Sequence, residues 1–174
     1  MTEYGSAKRV GSRPLPHDRE SERLASLRAT GLLDAQPEAR FDRFTELAQT
    51  VFDVATAVIS LVDADRQWFL SKCGLDADET SRDIAFCAHS IHEDQYLVVE
   101  DASEDPRFKD NPLVTSDPYI RFYAGAVLRD PTGLPLGTLC IFDPQPRSMT
   151  LRDRNALVSM ARMVEHEIYQ SLQD

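Results

Sequence analysis

Two pairs of apolar runs, each pair joined by a short polar turn, constrain this chain more than any other feature. ATAVISLVD and QWFLSKCG flank the polar segment DADRQ, and IRFYAGAVLRD and LPLGTLCIFD meet at DPTG. β-Branched and aromatic residues fill the runs and turn formers bound them, so each pair reads as a β-hairpin. Strands joined by such short turns pair antiparallel. YLVVED reads as one further short strand.

Helical periodicity frames these strands. ESERLASLRATG carries Leu24 and Leu27 at helical spacing and Gly31 where a left-handed C-cap belongs. Pro37 opens a second helix whose apolar stripe is Phe41, Phe44, Leu47, Ala48 and Val51. The chain closes on a long helix starting at Thr150, with Asp153 placed to complete a capping box. Helices before and after an antiparallel sheet define an α+β domain. Two connections are unusually long, at about residues 74–95 and 101–119. Segments of that length inside a compact domain serve as lids or binding loops.

At 174 residues the chain suits one domain. Residues 1–17 are rich in glycine, proline and basic residues and read as a mobile arm, with the folded domain at 18–174. The net charge of −10 argues against a general nucleic-acid binder and against docking on an anionic membrane. No apolar run approaches the roughly 20 residues that span a bilayer. The N-terminus lacks a secretory core segment, which points to the cytoplasm. The three cysteines, Cys73, Cys87 and Cys140, include no CxxC pair, so neither a zinc ribbon nor a disulfide framework is indicated.

The blocks ERLASLRATGLLD, FDRFTELAQTVF, VISLVDADRQWFLSKCGL, DIAFCAHSI, VVEDASEDPRFKDNPLV and IRFYAGAVLRDPTGLPLGTLCIFD, with the closing helix, together resemble a bacterial GAF domain. More closely, they resemble the subgroup that precedes histidine-kinase and diguanylate-cyclase modules. The resemblance runs from about residue 20 to about residue 170. It implies a GAF-like (profilin-like) fold: a central antiparallel sheet of five or six strands, a helical layer behind it, and loops closing over a small-molecule pocket. It also implies a role in signalling.

The residues themselves bear on the ligand. DIAFCAHSIH holds Cys87, His89 and His92. On a helix, Cys87 points roughly 160° away from His89, so one helix does not aim all three at one metal. Cys87 then packs as a small hydrophobe at the pocket edge, with His89 as a hydrogen-bonding wall residue. A bilin anchored at Cys87 is disfavoured, because Ala88 follows it and a DXCF-type motif is absent. No cofactor is expected. Asp101, Arg107, Phe108 and Asn111 sit in the second long connection, where Arg107 either clamps a ligand carboxylate or phosphate or pairs with Asp101 or Asp105. The NKxFDE pattern of phosphodiesterase GAF domains is absent, which argues against cyclic nucleotides. Alternation sends Phe122 and Tyr123 to opposite faces, one of them to the pocket side.

The expected ligand-binding residues are therefore Trp68, Cys87, His89, Asp101, Arg107, Phe108 and Tyr123, all but Asp101 of them expected around one concavity between the sheet and the two long connections. The reading is a non-catalytic small-molecule sensor or regulatory domain. Its alternative is a thiol-dependent enzyme resembling free methionine-(R)-sulfoxide reductase. Cys73 and Cys140 both fall in strands, and the cysteine spacings of 14 and 53 lack that enzyme's close grouping. Leu157, Ala161, Val164 and Ile168, with Leu172 and the neighbouring Met160 and Met163, make a wide apolar face on the last helix. Together with Leu24 and Leu27 of the first helix, it suggests a homodimer through terminal helices. A histidine-kinase or diguanylate-cyclase module is the expected output partner.

Overall fold

The computed structural model describes residues 12–170 and Leu172. Helices α1 (Glu20–Ala29) and α2 (Ala39–Phe52) lead into β1 (Thr56–Val62), β2 (Arg66–Cys73) and the short β3 (Glu79–Ser81). Helix α3 (Phe86–Ser90), β4 (Tyr96–Val99) and α4 (Pro112–Thr115) follow, then β5 (Phe122–Arg129), β6 (Pro135–Asp143) and α5 (Leu151–Gln170). The six strands form one sheet in the order β3-β2-β1-β6-β5-β4, every neighbouring pair antiparallel. This is the expected α+β architecture. Strand β3 lies inside the first long connection, where three residues with one half-buried side chain leave no alternation to read.

The two hairpins hold as the turn chemistry dictates. The Asp130 carboxylate accepts from the Thr132 and Leu134 backbone N–H groups and from the Thr132 hydroxyl, closing DPTG between β5 and β6. The Thr150 and Asp153 side chains cap each other's backbone N–H, as the capping-box spacing requires. Gly31, with φ +68°, turns the chain after α1.

Strands β1, β5 and β6 are buried along almost their whole length, because both faces of the sheet are covered. On one face Leu27, Phe41, Phe44, Ala48, Leu157, Met160, Ala161, Val164 and Ile168 pack against Ala57, Ile59, Leu61, Ala124, Leu139 and Ile141. Most of the apolar face of α5 is thus spent on the monomer core, while Leu151, at the start of the helix, and Met163 stay exposed. On α2, Leu47 and Val51 are also exposed, so only part of that stripe faces the sheet. On the opposite face Val58, Phe69, Phe86, Cys87, Phe108, Tyr123, Cys140 and Phe142 form a second apolar layer under the long connections.

Residues 12–17, expected to belong to a mobile arm, lie against α3; residues 1–11 fall outside the described residues. Ser12 donates to the Arg107 carbonyl, and His89 and His92 bond the Ser12 and Leu15 carbonyls. Just beyond, Glu20 joins two guanidinium groups, the fully buried Arg23 and Arg82 of the first long connection. Burial opposes the Glu20 charge, but hydrogen bonds from Arg23 and Arg82 outweigh it and hold the carboxyl far below the ordinary glutamate value. A depressed carboxylate contributes stability that is present above its unfolded pKa, near 4.5, and is lost as the pH falls below that. Between neutral pH and pH ~3 the unmodified chain should lose about 1 kcal/mol more unfolding free energy than Glu20→Gln, the solvent-screened share of that contribution. Urea titrations across that pH range would show it, and parallel losses in the two chains would contradict it.

Candidate functional site

The second apolar layer does not fill the space beneath the loops. It leaves a cavity of about 380 Å³, a volume within the usual range of small-molecule sites. The sheet supplies Phe69 of β2, Tyr123 of β5, and Cys140 and Phe142 of β6 to its wall. Phe86 and Cys87 of α3 form one side. The segment after β2 brings Leu75, Asp76 and Ala77, and the segment around α4 brings Leu113, Asp117, Pro118 and Ile120. Both long connections therefore roof the same cavity.

A polar cluster sits at its wall. Tyr123 Oη lies 2.8 Å from Ser90 Oγ and 3.2 Å from Cys87 Sγ. Thr138 Oγ1 donates to Cys87 Sγ at 3.0 Å, and Cys140 Sγ is 3.8 Å away. Burial acts against ionising Cys87, but its hydrogen bonds with Cys140, Thr138 and Tyr123 outweigh it and hold the thiol below its ordinary value. The hydrogen bond to Cys87 and burial push the Cys140 thiol well above its ordinary value. Burial, with Cys87 and Cys140 alongside, likewise pushes the Tyr123 phenol up, so it remains a hydroxyl donor. Gly125 makes this geometry accessible: a Cβ there would come 2.2 Å from the Tyr123 hydroxyl.

Of the seven expected ligand-binding residues, Cys87 and Tyr123 line the cavity. Trp68 does not. It stands on the helix-covered face, under the Arg66 guanidinium at 5.3 Å, while its strand neighbour Phe69 takes the cavity side. Phe108 is fully buried behind the wall, stacked on Phe86 with ring centres 4.1 Å apart. Asp101 accepts from the Ser103 N–H and hydroxyl and caps the turn after β4. Arg107 is held by Asp105 in a two-bond fork and lies over the Phe108 ring, so it staples its own loop rather than facing the cavity. His89 faces the residue 12–17 segment and touches the Phe108 ring edge, on the far side of α3 from Cys87. Burial lowers its pKa. The helical phase separating Cys87 from His89 is thus seen directly. Asn111, grouped with these residues, caps α4 through Leu113 N and donates to the Ile84 carbonyl.

Sequence reasoning missed Phe69, Phe86, Phe142 and Cys140 as wall residues. Thr138, Cys140 and Phe142 alternate on β6, so one correctly placed member marks the other two. Among the described residues, no group of three or more His, Cys, Asp or Glu side chains is arranged to hold a metal ion. None of the described helices is long and apolar enough to cross a membrane.

An antiparallel sheet with helices on one face and a loop-roofed cavity on the other defines an α+β domain built around a small internal site. Residues 36–168 match the GAF domain family, and the chain belongs to it. It is 41% identical over 157 residues to a cyclic di-GMP phosphodiesterase of Pseudomonas aeruginosa, a match covering 90% of this chain. The same match covers 27% of that protein, so the chain spans about a quarter of this curated relative. The GAF domain of an Acinetobacter phosphoenolpyruvate-protein phosphotransferase superposes with a TM-score of 0.63 at 15% identity, covering 87% of this chain and 96% of that one. Free methionine-R-sulfoxide reductase of Neisseria meningitidis, in complex with its substrate, gives 0.64 at 16% identity over 92% of this chain and 98% of that one. At such identities these two likenesses are of fold alone.

The Tyr123 hydroxyl is the hub of the polar cluster. Tyr123→Phe should lower stability by about 1–2 kcal/mol in urea unfolding, since Ser90 and Cys87 lose a buried partner. It should also move Cys87 alkylation to higher pH, because the thiolate loses a donor. An unchanged alkylation profile would show that the hydroxyl does not act on Cys87.

Proposed function

We propose that this chain is a non-catalytic regulatory domain in bacterial signal transduction, binding a small molecule in the cavity roofed by its two long connections. The observation that carries this reading is the cavity itself, apolar over most of its wall, with the Tyr123 hydroxyl and two thiols at one end. Apolar walls with a few placed polar groups give affinity through burial and orientation through hydrogen bonds. The basic side chains of the long connections lie elsewhere: Arg107 is engaged with Asp105, and Arg82 with Glu20. Asp76 and Asp117 sit on the wall. This electrostatic setting favours a neutral or cationic body over an anion such as a cyclic nucleotide.

The output is a change in helix packing. Helix α5 follows β6 and packs on β5 and β6, whose other face supplies Tyr123 and Cys140 to the cavity. The 41% identical relative is a cyclic di-GMP phosphodiesterase, which supports placing the domain beside a second-messenger module. A histidine-kinase or diguanylate-cyclase module is an equivalent neighbour for such a domain. Pairing with a second copy would use the outward side of the helical layer, where Leu47, Val51 and Met163 are exposed, rather than the core-facing Ile168.

Native mass spectrometry of the chain as purified, followed by thermal-shift screening of metabolites, tests the reading. A bound or added compound should raise the melting temperature, since it binds the folded state alone. Leu75→Trp, which places an indole at the cavity wall, should weaken that compound at least about tenfold. Binding unaffected by Leu75→Trp, or no compound in either experiment, would refute it.

A further inference from the structure

Cys87 and Cys140 are 53 residues apart in sequence, yet α3 and β6 bring their sulfurs to 3.8 Å. Both are 2% exposed, and both reach the cavity, which gives a small molecule a path to them. Cys73 differs on each count. It is half-buried at the end of β2, and its thiol donates to Gln49 Oε1 at 3.1 Å.

We propose that Cys87 and Cys140 form an oxidisable dithiol that a small hydroperoxide, entering through the cavity, converts to a disulfide joining α3 to β6. The proposal needs the cavity only as an entrance, so it does not depend on a metabolite binding there. Cys87 is the attacking group, because the Thr138 hydroxyl donates to its sulfur at 3.0 Å. Its sulfur attacks one peroxide oxygen; an S–O bond forms, the O–O bond breaks, and the departing alkoxide takes the proton that Cys87 gave up. Cys140, kept as a thiol, then attacks the sulfenic sulfur of Cys87. The S–S bond forms, the S–O bond breaks, and the hydroxyl leaves as water with the Cys140 proton. Two thiols and one hydroperoxide thus give one disulfide, one alcohol and one water, with the sulfurs oxidised and the peroxide reduced. The sulfurs must approach by about 1.8 Å to reach bonding distance. α3 is a five-residue helix within the first long connection, which limits the backbone that must follow.

The test uses the full chain carrying Cys73→Ser, so that only the pair remains. Treated with hydrogen peroxide, then alkylated in denaturant, the folded chain should lose both thiols and yield a Cys87–Cys140 linked peptide that dithiothreitol releases. It should do so at least about tenfold faster than the same chain unfolded in urea, because the fold holds the two sulfurs together. With Cys140→Ser added, Cys87 should instead accumulate a sulfenic acid trapped by dimedone. Equal rates for folded and unfolded chains, or dimedone labelling of Cys140 in place of Cys87 in the respective single-thiol chains, would overturn the proposal. The comparison of folded with unfolded Cys73→Ser chain decides it even where a second substitution prevents folding.

Discussion

The central strands of this sheet are apolar on both faces, and that single constraint shapes everything built around them. An antiparallel sheet can leave one face to water when its strands alternate. Here β1 reads Thr-Ala-Val-Ile-Ser-Leu-Val with every residue buried, and β6 is buried throughout as well. Both faces therefore need a cover. Three helices supply one. The other comes from two largely irregular connections that carry the short strand β3 and the short helices α3 and α4. Irregular backbone must satisfy its own polar groups before it can lie on an apolar surface. It does so locally: Asp101 caps one turn, Asn111 caps α4, and Arg107 closes on Asp105. A cover built this way cannot follow the sheet as closely as a helix packed ridge into groove. The cavity is what remains.

The same logic explains which parts of the molecule were legible in the sequence. Hairpins, helix ends and caps are local, and DPTG, Gly31 and the Thr150–Asp153 pair took their expected structures. The site depends on which face of each strand the loops cover, and local pattern does not carry that. In β2, Trp68 and Phe69 are adjacent large aromatics, and alternation guarantees only that they part. A register irregularity between Ile59 and Ser60 on the paired strand further shifts the pairing on which an inference across strands would rely. For Tyr123 the same uncertainty resolved in favour of the cavity, with Phe122 in the helix-side core.

The polar residues of the loops misled for a related reason. Arg107, Asp101 and His89 have the chemistry of ligand contacts, and chemistry alone does not separate a group that holds a ligand from one that holds a loop. The difference lies in whether a partner already occupies it. Asp105 stands two residues before Arg107, where its carboxylate accepts from the Arg107 N–H as well as the guanidinium. Such a local pair forms at low entropic cost, so it outcompetes a role facing the cavity.

On the proposed regulatory reading, a state of the cavity has to reach the helical layer, and α5 bears on how. Leu157, Ala161, Val164 and Ile168 have the spacing of a helix–helix seam, but they seat α5 on the sheet. That placement strengthens rather than weakens the case for coupling. β5 and β6 carry Tyr123, Cys140 and Phe142 on the cavity face, and Phe122, Leu139 and Ile141 on the α5 side. A change that bends or re-spaces these two strands is met by the helix at once, because close-packed interfaces shift between discrete arrangements instead of absorbing strain. Helix α5 is further tied to β5 where Glu165 accepts from the Arg129 backbone N–H. The sheet is one backbone thick at this point, so an occupant of the cavity and the helix that would report it press on opposite sides of the same two strands.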